Sequence, residues 1–259
     1  MFVTIINDCK CENAKIRQVT RVASLFDCSV YFSGVANDIE AAGNLVDVLD
    51  ACEGREGIIL VNVAPRHGGG KKWKNGTPFA YFYYKDTLVI STIGGYTLSL
   101  VKKLGITPSV RVIDIPKVLT YIKEYENISE EDIEQITNTQ FRSFDYLPRV
   151  AQWVFDGYDI PYEEDHLKNV EHFRETIYWI DNFGNCKTSL LESEKKSVQF
   201  GELQLPFYKR LKDVPDGEPA LVVGSSGILE NRFLEVVVQG ESAASFFGLQ
   251  VGSKFFSDS

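Results

Sequence analysis

The chain has 259 residues, 44% of them hydrophobic and 24% charged, the balance of a folded globular protein, which excludes wholesale disorder and fibrous repeats. Its formal net charge of -9 repels a nucleic-acid duplex, and no basic run is longer than Lys71-Lys72-Trp73-Lys74, so no nucleic-acid partner is expected. Met1 to Asp8 lacks a basic n-region, and no apolar run approaches the roughly 18 residues of a membrane span. A cytoplasmic protein with no membrane partner is expected, and five irregularly spaced cysteines (Cys9, Cys11, Cys28, Cys52, Cys186) read as reduced thiols.

Taken in chain order, Phe2–Ile6 predicts a strand and Ala14–Phe26 a helix with Val19, Val22 and Phe26 on one side. Ser29–Val35 is β-branched and apolar, Ile39–Cys52 is helical, and Gly57–Val63 is a continuous apolar run of the kind found in buried parallel strands. This βαβαβ order marks an α/β layer. Pro78–Tyr84 and Thr87–Thr92 flank Lys85-Asp86 as a hairpin, and Tyr96–Leu104 reads as a helix closed by Gly105. Val110–Ile115 predicts a further strand, and two helices follow, one opening at Ser129 with Asp132 three residues on, the other spanning Phe144–Phe155.

The α/β domain is expected to span residues 1–157, with a mainly parallel sheet. Residues 158–171 are acidic and aperiodic, with Pro161, Glu163, Glu164 and Asp165, and read as a linker. From 172 to 259 short strand-like runs (Thr176–Ile180, Ser197–Phe200, Ala220–Val223, Phe233–Val238) alternate with Gly and Pro turns, and Ser242–Phe247 is a brief helix. A smaller, mostly β, barrel-like C-terminal domain is expected.

Three motifs fail on inspection. Gly68-Gly69-Gly70-Lys71-Lys72 has Pro65 where a phosphate loop needs its first glycine and Lys72 where it needs Ser or Thr. His166 and His172 share no helical face with which to gather a metal, and Cys9-x-Cys11 has no second ligand pair. No metal and no cofactor are expected.

Two C-terminal segments carry a resemblance: Trp179-Ile180-Asp181-Asn182-Phe183-Gly184-Asn185-Cys186-Lys187-Thr188, and Gly217-Glu218-Pro219-Ala220-Leu221-Val222-Val223-Gly224-Ser225-Ser226-Gly227. They resemble the strand-turn and Ser-Ser-Gly turn of the S-adenosyl-L-methionine hydroxide adenosyltransferases, relatives of the fluorinating and chlorinating enzymes. The likeness continues through Phe233–Val238 and Gly248–Gly252, with Ile228 to Arg232 resembling an insertion. Fainter counterparts lie at Ile5–Asp8, Val61–Pro65, Ile93–Thr97 and Thr139–Pro148.

The resemblance implies a ligand rather than a cofactor: S-adenosyl-L-methionine, split to adenosine and L-methionine by attack on the ribose C5′ carbon. It implies ribose contacts from Asp8, methionine contacts from Asp181 and Asn185, packing by Phe183, and donors near the adenine from Ser225 and Ser226. Each of these is also ordinary turn chemistry. It further implies a homotrimer, with the ligand between the α/β domain of one subunit and the β domain of the next. The family's nucleophile-holding Asp, Arg and His positions fall at Ala64, Lys71 and Phe141, so either His67, Arg66 and Lys71, with Arg142, rebuild a catalytic site, or the protein is a catalytically silent binding module.

Overall fold

The computed structural model describes residues 1–64, 76–168, 170–194, 199–200 and 203–254. The chain divides into two compact units, Met1–Glu171 and His172–Ser259.

The first unit begins as the apolar pattern predicts: β1 (Phe2–Asn7), α1 (Glu12–Leu25), β2 (Ser29–Gly34), α2 (Asp38–Cys52) and β3 (Gly57–Asn62). The hairpin is β4 (Phe79–Tyr84) and β5 (Thr87–Thr92), and α3 (Ser99–Lys103) is the short core of the helix expected over 96–104. Strand β6 stops at Ile113 (Val110–Ile113) because Asp114 caps a new helix, α4 (Ile115–Ile122), by accepting from the Lys117 amide at 3.1 Å, with Pro116 in its first turn. Proline in a first turn lacks only an N–H that would be unpaired anyway, and reading 110–115 as one strand missed this start. Ser129 caps α5 (Glu130–Asn138) through the Asp132 amide, as expected. The helix expected over 144–155 is two helices, α6 (Arg142–Asp145) and α7 (Leu147–Phe155), because Pro148 again opens a fresh first turn.

These strands form one seven-stranded sheet in the order β2-β1-β3-β5-β4-β6-β7, where β7 is Glu163–Asp165. The four strands β2, β1, β3 and β5 are parallel, whereas β4, β6 and β7 continue the sheet by antiparallel pairing. The segment read as a linker therefore supplies an edge strand, and its Ile160, Leu167 and Val170 are buried. Its acidic residues have partners inside the unit: Ser109 donates to Glu164 at 2.7 Å and Lys117 pairs with Glu163 at 3.1 Å.

Successive strand residues face opposite sides. Val3, Ile5, Ile58, Leu60, Leu88 and Ile90 pack with Val22 of α1, Val118 and Leu119 of α4 and Val150 of α7; α2 contacts β1 and β3 and packs beside α3. Burial on both faces explains why β3 reads as an unbroken apolar run.

The second unit holds a five-stranded sheet, β12-β13-β14-β9-β8, built from β8 (Ile177–Ile180), β9 (Cys186–Leu191), β12 (Phe207–Tyr208), β13 (Pro219–Ile228) and β14 (Asn231–Val238). A separate two-stranded ribbon joins β10 (Gln199–Phe200) to β11 (Leu203–Gln204), and α8 (Ala243–Phe247) is capped by Ser242. Where the sequence suggested a barrel, β12 and β8 are sheet edges among the described residues. Residues 228–232, read as an insertion, are the tip of the β13–β14 hairpin, with Ile228 opposite Asn231. No helix among the described residues is long and apolar enough to cross a membrane.

Phe233 is fully buried at the centre of this sheet, edge-on to Tyr178 with ring centroids 5.6 Å apart. Phe233→Ala is expected to lower stability by about 3–5 kcal/mol, whereas Tyr83→Ala, at a side chain 46% exposed, is expected to stay within about 0.5 kcal/mol; chemical denaturation checks both.

Candidate functional site

In the first unit the chain runs from β1 outward to β2, then crosses back to β3 on the other side of β1. Such a reversal opens a crevice at the carboxyl ends of the two diverging strands, where open α/β sheets take their ligands. Asp8 stands at that point. Its amide donates to Asn62 at the end of β3 at 3.4 Å, and its Oδ2 accepts from the Ala64 amide at 3.1 Å.

Buried side chains hold this edge in shape. The fully buried Asn7 donates from Nδ2 to Gln18 of α1 at 2.7 Å and accepts from the Cys9 amide at 2.8 Å, so both ends of its amide are satisfied. Beside β5, the Tyr96 amide donates to Asp38 Oδ2 at 2.8 Å, tying the 93–97 segment to the first turn of α2. Asn7 and Asp38 carry a sequence signal, a polar residue at the end of an apolar strand and at a helix start, whereas Gln18 lies mid-helix and carries none. Phe141 is 62% exposed, in a segment shaped by the Phe141 amide donating to Thr139 Oγ1 at 3.0 Å. Lys71 and His67, with Arg66 and the rest of the glycine-lysine loop, lie outside the described residues.

In the second unit the structure brings Asp181, Phe183 and Asn185 into one turn between β8 and β9. Asp181 Oδ1 accepts from the amides of Phe183 and Asn185, each at 2.9 Å, and Asp181 Oδ2 accepts from Asn185 Nδ2 at 2.9 Å. The backbones of Asp181 and Asn185 close the same turn at 3.0 Å. With its polar atoms so engaged, the turn is rigid, and it presents the Phe183 ring to solvent at 72% exposure. Gly184 sits at φ 85°, and a Cβ there would lie 2.0 Å from Ser242 Oγ at the start of α8. Only glycine admits that approach, which the Gly184 carbonyl completes by accepting from the Ala244 amide at 2.9 Å.

Ser225 and Ser226 are not in a turn. They lie within β13 where its register against β14 shifts between Val223 and Gly227, a bulge that re-aims side chains. Ser226 is buried and accepts from the Lys187 ammonium, while the exposed Ser225 has its carbonyl held by Arg232 at 3.2 Å. Lys187 also faces Glu235 across the β9–β14 pair. The bulge is thereby connected to the strand that leaves the Asp181–Asn185 turn. Lys187 and Glu235 lie inside segments that carry the resemblance, but sequence alone gives no sign of their pairing across β9 and β14.

Next to the turn, Cys186 is fully buried, and burial, then Asp181 and Glu235, push its thiol up to about 12. None of the five cysteines is in a disulfide, and Cys9 and Cys11 are exposed. Among the described residues no group of three or more His, Cys, Asp or Glu is placed to hold a metal ion.

Residues 175–256 match the family model described as the SAM hydroxide adenosyltransferase C-terminal domain, which contains the Asp181–Asn185 turn and the Ser225-Ser226 bulge. The match spans nearly the whole of the second unit. The whole chain also has the fold of two crystal structures, each sharing little sequence with it. One is an uncharacterized conserved protein from Thermotoga maritima, with TM-score 0.67 and 15% identity over 96% of this chain and 97% of that one. The other is a conserved hypothetical protein from Thermus thermophilus, with TM-score 0.61 and 18% identity over 96% of both chains. No curated protein matches.

Three outcomes test this geometry. Gly184→Ala is expected to cost about 1–3 kcal/mol, from a strained φ and the contact with Ser242, measured by denaturation. Native protein is expected to show Cys9 and Cys11 reacting with a thiol reagent at pH 8 while Cys186 reacts only on unfolding. Because an unfolded thiol ionises near 9 and the native Cys186 only near 12, its contribution to stability is complete below 9 and falls as pH rises through 9 to 12; Cys186→Ala is expected to flatten that decline.

Proposed function

We propose that this protein binds S-adenosyl-L-methionine and hydrolyses it to adenosine and L-methionine. The observation that carries the reading is the Asp181–Asn185 turn inside a SAM hydroxide adenosyltransferase C-terminal domain. In this reading the turn and Phe183 receive the methionine portion, Ser225 and Ser226 flank the adenine, and Asp8 accepts hydrogen bonds from the ribose hydroxyls with its acceptor-only oxygens.

The reaction is one displacement. A water oxygen forms a bond to C5′, the C5′–S bond breaks with its electrons passing to sulfur, and a proton is released, giving adenosine and neutral methionine sulfur. Sulfonium is a good leaving group, so the protein contributes mainly alignment and desolvation of the water. Lys71 and His67 are the proposed holders of that water. The family position for a carboxylate is here Ala64, whose amide is already donated to Asp8.

A second reading has a specific observation in its favour. Ala64 and the exposed Phe141 supply no acid, base or anion-holding group, which suits a module that holds the ligand without turnover. The proposal also includes the homotrimer that the resemblance implies; light scattering showing only monomer at working concentrations sinks it.

Purified protein incubated with S-adenosyl-L-methionine, with adenosine and methionine followed by chromatography beside a calorimetric titration, separates the readings. Hydrolysis predicts both products, with Lys71→Ala and His67→Ala lowering kcat, roughly 10²-fold where one of them acts in general acid–base catalysis, and Asp181→Ala weakening binding at least tenfold. Binding without products supports the silent module, and neither binding nor products removes the adenosyl-ligand reading altogether.

A further inference from the structure

The first unit contains a cleft of about 340 Å³ between the start of β4, the end of β6, α4 and α6, lined by Gly76, Pro78, Ile113, Asp114, Ile115, Arg142 and Tyr162 among others. Its size is at the small end of ligand pockets, which begin near 300 Å³. Apolar walls come from Pro78, Ile113, Ile115 and Pro161, with Tyr162 as the aromatic side.

Two opposite charges face this space without meeting. The guanidinium of Arg142 is partly buried over the Phe79 ring at 5.2 Å, and its Nη1 donates to the Thr77 carbonyl at 2.6 Å. Gly76, at φ 72°, makes room for it, since a Cβ there would lie 2.7 Å from Nη2. No carboxylate pairs with Arg142 among the described residues, and burial lowers its pKa, the mark of a desolvated cation. Asp114 is exposed at the mouth, where its carboxylate accepts from the Lys117 amide at 3.1 Å and caps α4. The remaining charges at the rim cancel, because Lys117 pairs with Glu163.

The surrounding shell is also polar beyond its own needs. Thr77 Oγ1 and Tyr146 Oη are buried with no hydrogen-bond partner among the described residues. Thr77 lies between the lining residues Gly76 and Pro78, and the Tyr146 phenol feels both Asp114 and Arg142. Desolvating a guanidinium without an anion is unfavourable, and a ligand carboxylate offsets that penalty with two parallel hydrogen bonds. An ammonium on the same ligand answers Asp114.

We propose that this cleft binds a small zwitterion of the α-amino-acid class, its carboxylate on Arg142, its ammonium toward Asp114 and its apolar side chain against Ile113, Ile115 and Pro161. The site goes beyond the adenosyl-ligand reading and does not rest on it.

The test titrates the full chain with L-leucine, with 3-methylbutylamine (leucine without its carboxylate) and with 4-methylpentanoate (leucine without its ammonium), by calorimetry and ligand-observed NMR. Leucine is expected to bind, with each one-charge analogue at least about tenfold weaker. Arg142→Met is expected to weaken leucine at least about tenfold, and so is Asp114→Asn, which keeps the α4 cap because asparagine caps as well as aspartate. If Arg142→Met fails to fold, the analogues and Asp114→Asn decide. No leucine binding at about 10 mM, 4-methylpentanoate binding as tightly as leucine, or folded variants that bind like the parent each overturn the proposal.

Discussion

The parallel pairing of β1 with β3, in register from Val3 opposite Ile58 to Asn7 opposite Asn62, is the constraint on which the first unit depends. Both strands are buried almost throughout, so a slip of one residue would carry each apolar side chain to the opposite face. The register ends at two asparagines, and there hydrophobic pairing gives way to hydrogen bonding. Asn7 holds α1 through Gln18 and the following loop through the Cys9 amide, and Asp8 then reaches across to Ala64. The crevice at the strand ends is thus a product of strand order and register, before any ligand chemistry is considered.

The second unit achieves rigidity by different means. Its sheet is small, so the Asp181–Asn185 turn is fixed by its own hydrogen bonds and by the close seat of Gly184 on α8. The bulge in β13 breaks regular pairing at Ser225 and Ser226; Arg232 donates to the Ser225 and Gly227 carbonyls there, and Lys187 holds the Ser226 hydroxyl. Irregular backbone persists where side chains over-determine it.

The parts legible in the sequence are those governed by period and apolarity. Gly57–Val63 reads as a buried strand because burial on both faces leaves no alternation, and Ser129 reads as a cap because its hydroxyl and Asp132 are local partners. The parts that were not legible depend on partners far along the chain. Glu163 and Glu164 look like solvated linker residues until β6 places Ser109 beside them and α4 places Lys117 there. Pro116 and Pro148 each open a helix, but the sequence shows only that a proline interrupts a pattern. In the β8–β9 turn, the pairing of Asp181 with Asn185 was legible because motif and turn coincide, whereas Glu235 comes opposite Lys187 through the pairing of β14 with β9, which the sequence does not show.

The placement of Ala64 bears on what the crevice can do. Two carboxylates at one strand end repel each other, and one of them then keeps its proton more readily. With alanine beside it, Asp8 Oδ2 accepts from the Ala64 backbone amide at 3.1 Å. A single carboxylate of that kind suits an acceptor for hydroxyl groups better than a base that must take a proton from water. Under the proposed hydrolysis, proton removal therefore falls to groups outside the strand end, and the attack on C5′ relies on the leaving ability of sulfonium. The bonds given to Asp8, Asp181 and Ser226 come from Ala64, Asn185 and Lys187, none of them a residue proposed to carry the chemistry.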